Sequence, residues 1–201
     1  MADHTAWRES PLAHLYLDPE GLLAEADTSL REVPYLTMVG IRVDPGGPAG
    51  ARLATVLGAA LPDRCAATSS HGPHTALWLG PDEWLVVSTD EPEALTEALV
   101  DALGDSSGAV IDVSANRTTL ELSGPHAREA LEKGCAADLH PRRFHPGMAI
   151  TATVGPVPVL LWQTTPDTYR LLPRSSFAAY LVAWLRDALL EFGLHEDIRC
   201  R

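Results

Sequence analysis

Along this chain the hydrophobic positions alternate, break at a Pro-Asp pair and alternate again, and the pattern occurs twice. In the first copy Thr75-Ala76-Leu77-Trp78-Leu79-Gly80 leads through Pro81-Asp82 into Glu83-Trp84-Leu85-Val86-Val87. In the second, Pro158-Val159-Leu160-Leu161-Trp162-Gln163-Thr164-Thr165 leads through Pro166-Asp167 into Thr168-Tyr169-Arg170-Leu171-Leu172. Each copy predicts two apolar strands joined by a turn. An amphipathic helix is expected after each, near Glu93–Leu103 and over Phe177–Leu190, the last burying Phe177, Tyr180, Leu181, Trp184, Leu185 and Ala188. Trp78 aligns with Trp162 and, after one inserted residue, Trp84 aligns with Tyr169. Two copies about 85 residues apart are too few for a solenoid and suit a pseudo-two-fold domain.

The remaining segments complete each half. Tyr35, Thr37, Val39, Ile41 and Val43 alternate as a strand until Asp44-Pro45-Gly46-Gly47-Pro48 ends it. Leu53, Val56, Leu57, Ala60 and Leu61 carry helical spacing up to Pro62. Asp90 is the expected N-cap of the helix that follows the first hairpin. Gly104-Asp105-Ser106-Ser107-Gly108 is an internal hinge, after which Ala109–Val113 is expected to open the second half. Thr118, Leu120 and Leu122 form the next strand. A helix starts at Gly124-Pro125, with Gly134 at a left-handed C-terminal cap, and Ile150–Val154 is a strand. Each half thus reads strand, helix, strand, strand, helix. The fold class is α+β: two pseudo-symmetric split β-α-β modules with largely antiparallel sheets and helices on one face. Residues 1–32 read as an arm. Residues 33–201 read as a single domain of two modules, 33–104 and 108–193, with a short C-terminal tail.

Composition narrows the function classes. Hydrophobic content of 46% and charged content of 21% are globular values. A net charge of −12 argues against a nucleic-acid partner, which requires basic surfaces. No apolar run reaches the ~20 residues that a bilayer span needs, and the N-terminal residues lack the pattern of a secretory signal. The expected localisation is cytoplasmic, without a membrane partner. Cys65, Cys135 and Cys200 form no CxxC pair and leave an odd thiol, as in a reducing compartment.

Signals for chemistry are sparse. There is no Gly-x-Ser-x-Gly elbow, and Ser123-Gly124-Pro125-His126 reads as a helix start. His71 with His74, and His140 with His145 beside two arginines, do not match zinc spacings, so no metal ligands are assigned. Phosphate-cradling glycine motifs are absent, and no cofactor site is assigned to this chain. No catalytic residue is assigned either. The candidates that remain are for an interface. Arg142 and Arg143, between His140 and Gly147, form a local basic loop on an acidic chain. Trp7 is an aromatic in a polar arm, the profile of an interface anchor.

One stretch carries a family resemblance. Asp112-Val113-Ser114-x-x-Arg117-Thr118, the Leu120-Glu121-Leu122-Ser123-Gly124 strand end and the Ala-rich helix after it resemble the folate-binding fold of aminomethyltransferases (the glycine-cleavage T-protein superfamily). With Ser10-Pro11-Leu12, Trp78–Leu85 and Leu171-Leu172-Pro173-Arg174-Ser175, the chain is most similar within that superfamily to the gamma subunit of heterotetrameric sarcosine oxidase. The resemblance covers most of residues 10–190. It implies a structural subunit packed chiefly on a large alpha subunit, with a beta subunit also present. FAD, FMN, NAD and tetrahydrofolate would be on the partners, which oxidise sarcosine and pass on a one-carbon unit. Arg117 falls in the matching motif and joins the interface candidates. Aminomethyltransferases place a folate-binding carboxylate in the hairpin matching Met148–Gln163, and here that hairpin holds no Asp or Glu. A pterin edge needs such a partner. Asp112, between Ile111 and Val113, is read as a turn-organising residue. The alternatives are a stand-alone folate-binding or aminomethyltransferase-like protein, a subunit of a related N-methyl amino acid dehydrogenase, and an unrelated α+β adaptor.

Overall fold

The computed structural model describes residues 9–15, 24–25 and 27–193. Trp7 and Cys200 lie outside the described residues. The region expected to be an arm contributes a 3-10 turn at Ala13–Leu15 and two strands, β1 (Ala24–Glu25) and β2 (Thr28–Glu32). The first repeat follows as β3 (Thr37–Val43), α1 (Pro48–Leu57), β4 (Thr68–His71), β5 (His74–Gly80), β6 (Glu83–Ser88) and α2 (Pro92–Leu103). Strand β7 (Gly108–Asp112) leads into the second repeat: β8 (Leu120–Ser123), α3 (Ala127–Glu132), β9 (Met148–Val154), β10 (Val157–Thr165), β11 (Thr168–Pro173) and α4 (Ala178–Gly193).

Two antiparallel sheets result. Their cores show one strand order, β3-β6-β5-β4 in the first and β8-β11-β10-β9 in the second. The pseudo-symmetry extends further, because each repeat lends its leading strand to the other sheet. β2 precedes the first repeat but pairs with β8, and β7 precedes the second but pairs with β3. The crossings match: Val33 N–H donates to Thr119 O and Val113 N–H donates to Met38 O, both at 2.8 Å. The boundary expected at residue 108 therefore does not separate the sheets, and part of the expected arm is a sheet strand. Five-residue strands with one apolar face carry no label for their partner, and the register of β3 and β8 chooses it.

Alternation along the strands builds four layers. Trp84 and Val86 of β6 pack with Leu53 and Leu57 of α1 and with Leu95 and Leu99 of α2. Their neighbours Leu85 and Val87 point the other way, against Leu160 and Trp162 of β10 and Leu172 of β11. On the far side of the second sheet, Leu120, Leu161, Tyr169 and Leu171 pack with Leu131 of α3 and with Leu181 and Leu185 of α4. The layers run helix, sheet, sheet, helix. Leu12 is 1% exposed within this last cluster, so residues 9–15 pack on their own chain. A fully buried leucine contributes about 1.5–3 kcal/mol.

The hairpins correct the alignment of the copies. Both carry a register shift just before the Pro-Asp turn, between Trp78 and Gly80 and between Gln163 and Thr165. Trp78 faces Trp84 as Gln163 faces Tyr169. Trp78 is thus equivalent to Gln163, Trp162 to Leu77, and no insertion is needed. Trp78 packs toward the helices and Trp162 between the sheets. Three termini also differ from expectation. α1 stops at Leu57 because Gly58 adopts φ 73° and caps it one turn before Pro62. The N-cap of α2 is Glu91, with Pro92 following it, and Asp90 turns elsewhere. Gly134 is not in the left-handed region. It is required because a Cβ there would sit 2.3 Å from the Trp184 ring.

Candidate functional site

The Asp112-Val113-Ser114 run is where the chain crosses between sheets. The Asp112 carboxylate accepts the Ser114 N–H (2.8 Å), and Ser114 Oγ accepts the Met38 N–H (3.0 Å). This Asx turn locks β7 onto β3. Asp112 is exposed and organises the turn. The chain then returns beside the end of β11. Ser175 N–H donates to Asn116 O at 2.9 Å, Thr118 N–H donates to Pro173 O at 3.3 Å, and Arg117 and Arg174 face each other in an antiparallel bridge.

That bridge opens a cleft of about 350 Å³ where the two sheets meet. Leu79 of β5 forms one wall. Thr151 of β9 and Pro158, Val159 and Leu160 of β10 form the other, and Phe177 stands at the rim. Two guanidinium groups, of Arg117 and Arg174, supply the charge. Among the described residues no carboxylate lines the cleft and neither arginine is in an ion pair. Arg117 Nη1 donates to Leu172 O at 2.8 Å, which fixes its head. Burial, and secondarily the charge of Arg174, push the Arg117 pKa down, so the pair is held together against repulsion. Two arginine forks, one of them fixed by its hydrogen bond to Leu172 O, with apolar walls suit an incoming carboxylate. The hairpin that the resemblance pointed to, Met148–Gln163, does contribute to this cleft, with apolar and hydroxyl side chains.

A second arginine pair has its acid. Glu121 on β8, 8% exposed, lies between Arg31 of β2 and Arg170 of β11 in neighbouring register positions. Arg31 donates to Glu121 Oε1 through Nε at 2.8 Å and also through Nη2, and Arg170 Nε donates to Oε2 at 2.9 Å. Burial pushes the Glu121 carboxyl up, but the two arginines outweigh it and leave its pKa below the ordinary value. The Arg170 guanidinium also covers the Trp162 ring at 5.2 Å.

The structure brings together one set of residues that the sequence did not flag. His74 Nδ1 is 3.0 Å from Ser88 Oγ, and His74 Nε2 is 3.6 Å from an Asp90 carboxylate oxygen. The types are those of a hydrolytic triad, but Ser88 is 1% exposed and its Oγ accepts the Asp90 N–H. A nucleophile without access cannot attack, so the set fastens β5 to the β6–α2 connection. Among the described residues no three His, Cys, Asp or Glu are grouped to hold a metal. No helix among them is long and apolar enough to cross a membrane.

Of the interface candidates, Arg117 lies in the cleft with Arg174, which sequence reading did not single out as a site residue. Arg142 and Arg143 are exposed on a separate loop, pinned by Phe144, which is 2% exposed and stacks on Tyr169 with centroids 6.4 Å apart. The structure does not bring them together with Arg117. Register supplies the signal that was missing, since only the 117–174 bridge sets the two arginines opposite each other.

The model of the "Sarcosine oxidase, gamma subunit family" matches residues 42–191. The chain is 44% identical over 199 residues to sarcosine oxidase subunit gamma of Corynebacterium sp. (strain U-96), covering 98% of this chain and 97% of that protein. It is 44% identical over 198 residues to the subunit of the same name from Arthrobacter sp., covering 96% and 95%. Among solved structures, a chain of the heterotetrameric sarcosine oxidase from Corynebacterium sp. U-96, in complex with pyrrole 2-carboxylate, superposes with a TM-score of 0.86 at 43% identity, covering 92% of this chain and 96% of that one. The aminomethyltransferase T of the Bartonella henselae glycine cleavage system shares the fold, with a TM-score of 0.61 at 15% identity over 80% of this chain and 46% of that one. The α+β class and the aminomethyltransferase-like architecture expected from sequence are both present. The chain belongs to the sarcosine oxidase gamma subunit family.

Proposed function

We propose that this chain is a non-catalytic subunit of a heterotetrameric sarcosine oxidase. On this reading it packs on the large alpha subunit, with a beta subunit also in the assembly, in the cytoplasm. FAD, FMN, NAD and tetrahydrofolate are bound by the partners, where sarcosine is oxidatively demethylated and its one-carbon unit is transferred to tetrahydrofolate. The observation that carries the reading is the full-length match to a chain of a heterotetrameric enzyme, at a TM-score of 0.86 and 43% identity. The charge of the cleft supports it. A cleft with two cations and, among the described residues, no acid suits a carboxylate partner and lacks the group that would pair with the amino-amide edge of a pterin.

Co-expression with the alpha and beta subunits of a heterotetrameric sarcosine oxidase tests the proposal. A tagged chain is expected to copurify with flavin-coloured partners that oxidise sarcosine with peroxide release, and to be inactive alone. Recovery of a colourless, unaccompanied chain refutes it. Saturable binding of a reduced folate to the isolated chain would instead support the stand-alone folate-binding reading.

A further inference from the structure

Resting on the reading of this chain as a subunit, we propose that the Arg117–Arg174 cleft is a docking socket for one Asp or Glu side chain, flanked by an apolar residue, on the partner subunit. Like charges set opposite each other across an antiparallel bridge destabilise the strand pair. This chain has 27 acidic residues against 15 lysines and arginines, yet among the described residues none lines the cleft. Where the fold itself needs a compensated arginine pair it supplies Glu121.

The walls describe the rest of the occupant. Leu79 and Leu160 are apolar, and the volume of about 350 Å³ accommodates a side chain with its neighbour. The apolar surface continues outside the cleft. Phe177 and Tyr180 were both expected on the buried helix face, but Phe177 at the rim is 41% exposed and Tyr180, three residues on, is 53% exposed. A small free carboxylate would reach the arginines but leave both rings in water, whereas a protein surface covers the rings and the arginines together. Arg117 is already held by Leu172 O, so docking does not have to order it.

The experiment uses the assembled complex. Release of this chain is followed by native mass spectrometry after dilution, at low and high salt, for wild type, Arg174→Glu, Arg117→Gln and the pair Arg142→Glu/Arg143→Glu. Arg174→Glu is expected to release at least about 30-fold faster, since loss of one partner of a desolvated charge pair acts mainly on the off-rate. Arg117→Gln is expected to move in the same direction, and the loop pair to stay within about 3-fold of wild type. Arg174 makes no ion pair within the described residues, so its variant keeps the fold even if Arg117→Gln does not, and melting of the isolated chains checks this. Wild-type release by Arg174→Glu overturns the socket while leaving the subunit reading intact. Equal release by the loop pair shows a generic charge effect and also overturns it. A wild-type chain that never enters a complex overturns the subunit reading itself.

Discussion

Two arginine pairs lie on this fold, and they are treated in opposite ways. Arg31 and Arg170 hold Glu121 between them, with side-chain exposures of 47%, 25% and 10% for Arg31, Arg170 and Glu121. Arg117 and Arg174 face each other across an antiparallel bridge, with no acid beside them among the described residues. The first arrangement is complete within one chain, and it ties β2, the strand lent by the first repeat, to the second sheet. The second is incomplete within the described residues. The difference separates a group that holds the fold together from one that waits for something outside it.

Removing the acid from the complete pair is expected to have the largest effect on stability. Glu121→Gln leaves two partly buried arginines uncompensated at the junction of β2, β8 and β11. A fully buried broken pair costs about 3–5 kcal/mol, and the partial exposure of Arg31 reduces this to about 2–3 kcal/mol, read as a lowered Tm in thermal melts. The same site gives a smaller, pH-dependent effect. The folded Glu121 carboxyl has a pKa below its ordinary value of 4.5. The network therefore contributes fully above the unfolded pKa, and that contribution is lost as pH falls through the folded pKa. Wild type is expected to lose more stability than Glu121→Gln on acidification below about pH 4.5, so their melting curves converge. Parallel curves would mean that the carboxylate is not paired in solution.

The incomplete pair is expected to respond with the opposite sign. Arg174→Glu supplies the missing acid within the chain and relieves the repulsion, which stabilises the isolated chain by up to about 1 kcal/mol. The same substitution weakens the complex. A variant more stable alone and less stable in assembly is difficult to obtain unless the cleft is reserved for a partner. The smallest expected effect is at Arg142 and Arg143. Both are exposed and without ion pairs among the described residues, and their replacement by Ser is expected to move the Tm of the isolated chain by no more than about 0.5 kcal/mol in stability terms.

Much of the fold could be read in the sequence because alternation and turn chemistry report local structure directly. Both Pro-Asp hairpins follow from them, but each repeat holds three strands between its helices rather than two, and the polar β4 (Thr68–His71) carries no apolar alternation to announce it. Partner choice was not legible. β2 and β7 cross to the other sheet, and the turn at Ser114-Ala115-Asn116 reads the same whichever sheet the preceding strand joins. The alignment of Trp78 with Trp162 followed residue type, whereas the bulges pair Trp78 with Gln163, and a bulge has no composition of its own. Gly134 read as a cap because the approach of Trp184, fifty residues later in the chain, is a tertiary fact. The site was half legible. Arg117 lay in a recognisable motif, but Arg174 acquires meaning only when the 117–174 bridge places it opposite. The Ser88, His74 and Asp90 set shows the converse, since residue types alone would have misled where burial decides.

The most direct test of the central claim is hydrogen–deuterium exchange of this chain, alone and within the assembled complex. The account predicts that assembly slows exchange around residues 115–118, 151–160 and 174–180, with the 140–147 loop unchanged. Protection confined to that loop, or to the helices α1 and α2, would contradict it.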